Sequence, residues 1–247
     1  MPFSRRYEDF NQAEAYAIVA EVRRMREANG EQTVGRKVGF TNKARWHAMG
    51  LESPMWNYVY DRTIVDGTLV AVDYPLQSIA EPRIEPEIVL HLCRAPELSM
   101  SDRELLSCID WIAPSFEIVS SVFPNWVFSA ADATAAFGLH AGLVLGAKLD
   151  VDQTCTGLTN KLSRFGVKLK CGPETRTGNA IDILGGPLPV LRFLMEEIAR
   201  FPDSLPLRRG ELVATGTLTE AMPVAAGTNC STCFSGIDLR PLQIQFL

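Results

Sequence analysis

Three glutamates set in two apolar stretches are the residues of this sequence best placed to do chemistry. In RIEPEIVLHL, residues 83 to 92, Glu85 and Glu87 flank Pro86 at the start of a core-forming run. Side chains two apart in a strand share a face, so the two carboxylates point the same way. Like charges that close persist if both face water, if one takes up a proton, or if a cation sits between them. Pro86 lacks an N–H, which places it at a strand start, edge or bulge. By itself the pair also suits a solvated edge strand. Glu117 shifts that balance. It stands in SFEIV between Phe116 and Ile118, and a carboxylate inside an apolar strand needs a partner. Three carboxylates converging from two strands make an all-oxygen site for a hard divalent cation, Mg²⁺ or Mn²⁺. Zinc would call for histidine or cysteine ligands. His91 shares the strand face of Glu87, but the intervening Val89 marks a face already turned into the core, so it is the weaker candidate ligand. Lys37 lies in GRKVGF between Gly35 and Gly39, and those glycines let other backbone come close.

The elements that must position these groups belong to a soluble globular chain. Its 247 residues are 47% hydrophobic and 21% charged, the ordinary balance of a folded domain. A net charge of −5 leaves no basic footprint for nucleic acid. No stretch reaches the roughly 20 apolar residues of a membrane helix, and MPFSRRYEDFNQ has no secretory core, so the expected location is cytoplasmic. Six scattered cysteines are too few for a disulfide-built fold and are expected to be reduced thiols. The C-x-x-C of CSTC, residues 230 to 233, lacks a second pair and reads as ordinary thiols in a late strand or turn.

Apolar spacing over 11–28 (Ala15, Ile18, Val19, Val22, Met25) predicts an amphipathic helix stopped by Asn29-Gly30. TVGRKVGFT reads as a short strand and KARWHAMGL as a short helix ending at Gly50. Asp66-Gly67 within YVYDRTIVDGTLVAV signals a hairpin. Ser101 and Glu104 form a capping box for a helix over 101–112, and WIAPSFEIVSS restarts as a strand. A turn at Gly172-Pro173, a helix from Leu188 to Arg200 and a β-rich tail complete an α+β protein. A helical amino-terminal region (1–57) precedes a strand-rich body (58–247), the two forming one unit.

The motifs GRKVGFTNKA, YDRTIVDG, EPEI followed by SFEIV, and TGTLTEAMPVAAG resemble the fumarylacetoacetate hydrolase superfamily. They look most like its branch of 2-oxopent-4-enoate hydratases and 4-oxalocrotonate decarboxylases, with the likeness running from about Gly35 to the end. The resemblance implies a mixed β-sheet roll and Mg²⁺ held by Glu85, Glu87 and Glu117. It implies Lys37 working beside Asp61, and Thr217 and Thr219 near the substrate carboxylate. Ala133 stands where many members carry asparagine, and Phe137 and His140 follow where they carry small polar residues. His140 thereby becomes a candidate acid/base, a substrate hydrogen-bonder or a buried structural histidine. The implied reaction is hydration of a 2-hydroxy-2,4-dienoate to a 4-hydroxy-2-oxo acid in aromatic catabolism. Decarboxylation of a 2-oxo diacid, C–C hydrolysis of an acylpyruvate and a non-catalytic subunit that binds 2-oxo acids are the alternatives. Arg36, Lys43 and Arg45 are the nearby cations for a second carboxylate, although helix-surface roles suit them better. Relatives commonly assemble as homo-oligomers, and a complex with a homologous pathway enzyme is a further expectation. Trp46, Trp56 and Trp126 are candidates for such contacts, with core packing the simpler reading.

Overall fold

In the computed structural model, which describes residues 1–49, 51–68, 71–151 and 157–247, the first α-helix is α1 (Gln12–Ala28). Asn11 caps it, accepting from the N–H groups of Ala13 and Glu14, while Glu14 returns a bond to the Asn11 backbone. Its buried face is Ala15, Tyr16, Val19 and Ala20. Next come β1 (Thr33–Gly39), α2 (Trp46–Met49), β2 (Met55–Tyr60), β3 (Ile64–Asp66), β4 (Val72–Tyr74) and β5 (Arg83–Leu92). They are followed by α3 (Asp102–Leu106), β6 (Ile109–Val119), α4 (Ala130–Ala135), β7 (His140–Leu145), β8 (Leu149–Asp150) and α5 (Leu158–Arg164). The hairpin of β9 (Gly166–Cys171) and β10 (Glu174–Asn179) turns at Gly172-Pro173. Last are α6 (Pro187–Arg200), β11 (Leu212–Ala214), β12 (Met222–Pro223), β13 (Asn229–Ser235) and β14 (Gln243–Phe246).

Among the described residues, nine strands form one mixed sheet in the order β2-β1-β11-β5-β6-β7-β3, with β12 beside β5 and β8 beside β6. Five more form a second sheet, β10-β9-β13-β14-β4. The long pair β5 and β6 is the spine of the first sheet, antiparallel from Arg83 opposite Val119 to Leu92 opposite Ile109. Alternation along it sends Ile84, Phe116 and Ile118 into a core shared with Leu169, Ile244 and Phe246 of the second sheet. It sends Glu85, Glu87 and Glu117 to the other face. The helix α6 buries Leu188, Leu191, Leu194 and Ile198 in the largest core, together with Ile88, Leu90 and Leu92. The α+β class and the mixed-sheet roll are therefore as expected.

Several local expectations need correction. A boundary at 57/58 would cut through β2, and β1 lies inside the large sheet between β2 and β11. The amino-terminal region thus supplies strands to the body. The helix at 101 stops at Leu106, because Ile109 already begins β6. That strand is buried on both faces, and its continuous apolar run mimics helical spacing. Among the described residues the Asp66-Gly67 turn makes no hairpin. Asp66 Oδ1 accepts from the Thr68 N–H at 2.9 Å, and the chain leaves β3, which pairs with β7, for β4 in the other sheet. Leu69 and Val70 of that stretch, the helix stop at Gly50 and the thiol of Cys155 lie outside the described residues. Cys171 and Cys230 face each other across β9 and β13 and form a disulfide, against the expectation of reduced thiols. Their 59-residue separation hides the pairing from any spacing rule. Cys233, the other half of CSTC, is exposed and free.

Candidate active site

On one flank β5 is covered by β6 throughout. The other flank is shared: β11 pairs with Val89 to His91 and β12 with Arg83 and Ile84. Between those two strands, residues 85 to 88 meet a loop instead. Thr215 N–H donates to the Ile88 carbonyl at 3.0 Å and Leu218 N–H to the Pro86 carbonyl at 2.9 Å. In an antiparallel strand a residue's N–H and C=O point to the same side, so the N–H that Pro86 lacks would have faced this loop. The proline is thereby explained, inside a strand but at a gap in the sheet. The same loop carries Thr217 and Thr219.

Glu85 lies opposite Glu117 in the register of β5 and β6. One carboxylate oxygen from each of Glu85, Glu87 and Glu117 lies within 4.8 Å of the others. Glu87 and Glu117 are fully buried. Glu87 Oε2 accepts from the Gly216 N–H at 3.1 Å, whereas its Oε1 has no hydrogen-bond donor. Burial, reinforced by the Glu117 charge, pushes the Glu87 carboxyl well above the usual range. Burial acts on Glu117 in the same direction, but Lys37 and His140 beside it hold it below its ordinary value. Lys37 Nζ sits 3.1 Å from Glu117 Oε2 and donates to the Gly138 carbonyl at 3.0 Å. Although burial disfavours its charge, the three glutamates keep Lys37 protonated, with its pKa raised.

A buried carboxylate oxygen with no donor, among three carboxylates and one ammonium, is a site short of positive charge. Three carboxylates with open cleft beside them suit a hard divalent cation that keeps part of its coordination for water or ligand.

The structure does not bring Asp61 to Lys37. Asp61 is exposed at the end of β2, where its Oδ1 accepts from the Gln32 N–H at 3.0 Å. Glu117 is the acidic neighbour of Lys37 instead. His140 is a buried brace: its Nδ1 lies 2.8 Å from Glu117 Oε1 and its Nε2 2.9 Å from Thr63 Oγ1. It thus stands behind the carboxylate and fixes its orientation. His91 is held by Asp110 at 2.5 Å and stacked on Trp111. Thr217 and Thr219 both line the cleft, with Thr217 Oγ1 donating to the Thr219 carbonyl and Thr219 Oγ1 to the Glu220 carbonyl. Arg36 is buried on Glu211 at 3.0 Å, Lys43 is exposed, and the side chain of Arg45 lies outside the described set.

A cleft opens over Lys37 and Glu85. Its walls include residues that the motifs do not single out, among them Arg83, Phe40, Trp46 and Trp126. Arg83 was legible, since it lies two residues before Glu85 on the same strand face. Trp56 is core, whereas Trp46 and Trp126 belong to the cleft. Phe137 turns outward and is 44% exposed, while Ala133 is buried against the helix side of the site.

Gly216 is the backbone hinge of the cluster. Its φ is +88°, and a Cβ there would lie 2.3 Å from Thr41 Oγ1 and 2.8 Å from the Val38 carbonyl. Gly216→Ala is therefore expected to lose at least about 1–2 kcal/mol from the left-handed backbone alone, read as a lower urea midpoint. An unchanged midpoint would mean that the loop relaxes around the methyl.

No protein-family model matches the chain. A 2-keto-4-pentenoate hydratase of Burkholderia vietnamiensis is 32% identical over 223 residues, covering 87% of this chain and 79% of the relative. The chain belongs to the 2-keto-4-pentenoate hydratase family. A 4-oxalocrotonate decarboxylase of Pseudomonas putida is 27% identical over 94% of this chain and 84% of its own length. In fold, the likeness extends to the solved 4-oxalocrotonate decarboxylase of Pseudomonas putida G7, complexed with magnesium and adipate. The two share 24% identity at a TM-score of 0.87, covering 99% of this chain and 89% of that one.

Proposed function

We propose that this lyase is a divalent-metal-dependent hydratase that adds water to a 2-hydroxy-2,4-dienoate to give a 4-hydroxy-2-oxo acid. The observation that carries the reading is the three-glutamate cluster, two of them buried and Glu85 half-buried, with Lys37 at its edge, opening onto a cleft with largely apolar walls. Glu85, Glu87 and Glu117 would hold Mg²⁺ or Mn²⁺, which when bound offsets the negative charge that develops on the substrate's C2 oxygen.

The chain's own residues then have distinct tasks. Hydration requires the C2 hydroxyl proton to leave, a proton to arrive at C5, and water oxygen to bond at C4 while C3 takes a proton. Lys37 is the charged proton carrier that borders the cleft and touches the cluster, so it is the group that holds or moves a proton at the C2 oxygen. Glu117 keeps Lys37 cationic, and His140 keeps Glu117 aimed at it. Either threonine hydroxyl of the 217–219 loop, turned from its backbone carbonyl, donates to the substrate carboxylate. The apolar walls limit bulk water around the diene.

Decarboxylation of a 2-oxo diacid is the second reading, favoured by one observation: Arg83 lines the cleft and is a cation for a distant carboxylate. Glu85, Glu81 and Glu220 act on the same guanidinium, so its charge is already shared, and hydration is preferred. Ultraviolet assay of a 2-hydroxy-2,4-dienoate, 4-oxalocrotonate and an acylpyruvate, each with Mg²⁺ and with EDTA, separates the possibilities. Loss of the dienoate chromophore with Mg²⁺ alone is expected. Turnover of only oxalocrotonate would make it a decarboxylase, and oxalate binding without any turnover would make it a non-catalytic subunit.

A further inference from the structure

One wall of the cleft is built from bulky apolar side chains held on unusual backbone. Phe40, Trp126 and Leu139 all line it, with φ of 60°, 57° and 62°. Left-handed backbone is rare for such residues and persists only where the surroundings enforce it. The enforcement is visible around Trp126. Asn125, also left-handed, donates its N–H to Glu81 Oε1 at 3.0 Å. Phe123 is tied to Ser121 and packs on Phe3 and Phe128. The Arg83 guanidinium lies over the Trp126 ring, 4.0 Å from its centroid. Beside Phe40, Trp46 spends its indole N–H on the Phe40 carbonyl at 2.7 Å and thus has no polar donor left for a ligand. Three of the eight non-glycine residues with positive φ among the described residues lie in this one wall, and none of the three is a polar residue.

A five-carbon dienoate chelated at the glutamates presents only a short chain to a cleft lined by the rings of Phe40, Trp46, Trp126 and Phe128. Ligand sites typically bury most of their ligand. We infer that the substrate carries an apolar group beyond C5, an aryl ring being the best fit, seated against Phe40, Trp46, Trp126 and Phe128. The inference rests on the reading that a 2-oxo acid head is held at the glutamates. It selects among dienoates: an aryl or long alkyl substituent is preferred to hydrogen or methyl.

The test uses two unreactive 2-oxo acids, 2-oxopentanoate and 2-oxo-5-phenylpentanoate, titrated calorimetrically into the full chain with saturating Mg²⁺. Burial of the ring is expected to tighten binding of the phenyl compound by about tenfold or more. Trp126→Ala is expected to shrink that ratio severalfold, with Phe128→Ala as the second variant should the first fail to fold by thermal melting. Equal affinities for the two acids on the unaltered chain would overturn the inference and leave the hydratase reading standing. A preference unmoved in both variants would overturn the assignment of this wall. Binding of neither acid would overturn the inference together with the reading beneath it.

Discussion

Replacing Lys37 with methionine is expected to lower kcat by about 10²–10⁴-fold, the usual contribution of one positioned proton carrier, while metal binding becomes tighter. The second half of that expectation is what distinguishes a catalytic lysine from a structural one. Lys37 Nζ is 3.1 Å from Glu117 Oε2 and is under the influence of all three glutamates, so it competes with a divalent ion for the same negative charge. Methionine fills nearly the same volume without that competition. Titration with Mg²⁺ of metal-free protein, alongside steady-state kinetics on the dienoate, reads both effects. A fall in kcat of less than threefold would remove Lys37 from the reaction. Weaker Mg²⁺ binding in the variant would mean that the lysine mainly preserves the geometry of Glu117. Asp61→Ala gives the complementary control: that side chain is exposed and bonded to Gln32, so kcat should stay within about twofold of the unaltered chain, as for other surface changes.

How much of this was legible beforehand depended on whether a residue's partner lies close by in sequence or across the fold. Glu85 and Glu87 share a face because strands alternate, and that needs no knowledge of the rest of the fold. Glu117 was legible as a charge in an apolar strand, although its exact register opposite Glu85 was not. Asp61 failed for the opposite reason. Its role was carried over from a motif, and no local rule tells whether the chain after β2 turns toward Lys37 or, as here, toward solvent. His140 became a brace only once β7 lay beside β6 and Thr63 came within reach. The Cys171–Cys230 disulfide required β9 and β13 to be neighbours. The aromatic wall was hidden most deeply, because it depends on positive φ at Phe40, Trp126 and Leu139. Those are residue types for which propensity predicts the contrary.

Glu87→Gln is expected to invert the order of stability between metal-free and metal-loaded protein. In the folded chain Glu87 has its pKa raised by burial and by Glu117, so between the ordinary carboxylate pKa and that raised value the folded state binds more protons than the unfolded one. Stability of the metal-free protein therefore falls as pH rises through that window, and the full cost remains above it. Glutamine carries no charge and can still accept the Gly216 N–H that Glu87 Oε2 accepts at 3.1 Å. Metal-free Glu87→Gln should thus melt higher than the metal-free parent at pH 8, and the two should converge near pH 4.5. Added Mg²⁺ reverses the order. A ligand at 100 times its Kd stabilises by about 2.7 kcal/mol, whereas loss of a direct ligand should weaken binding at least as much as the roughly 10–100-fold seen on losing groups that merely orient ligands. Thermal melts at the two pH values, with EDTA and with Mg²⁺, measure all four quantities. If the variant is the less stable protein in EDTA at pH 8, Glu87 is satisfied without a cation and the site was not built around one. If it gains as much from Mg²⁺ as the parent, the ion binds elsewhere.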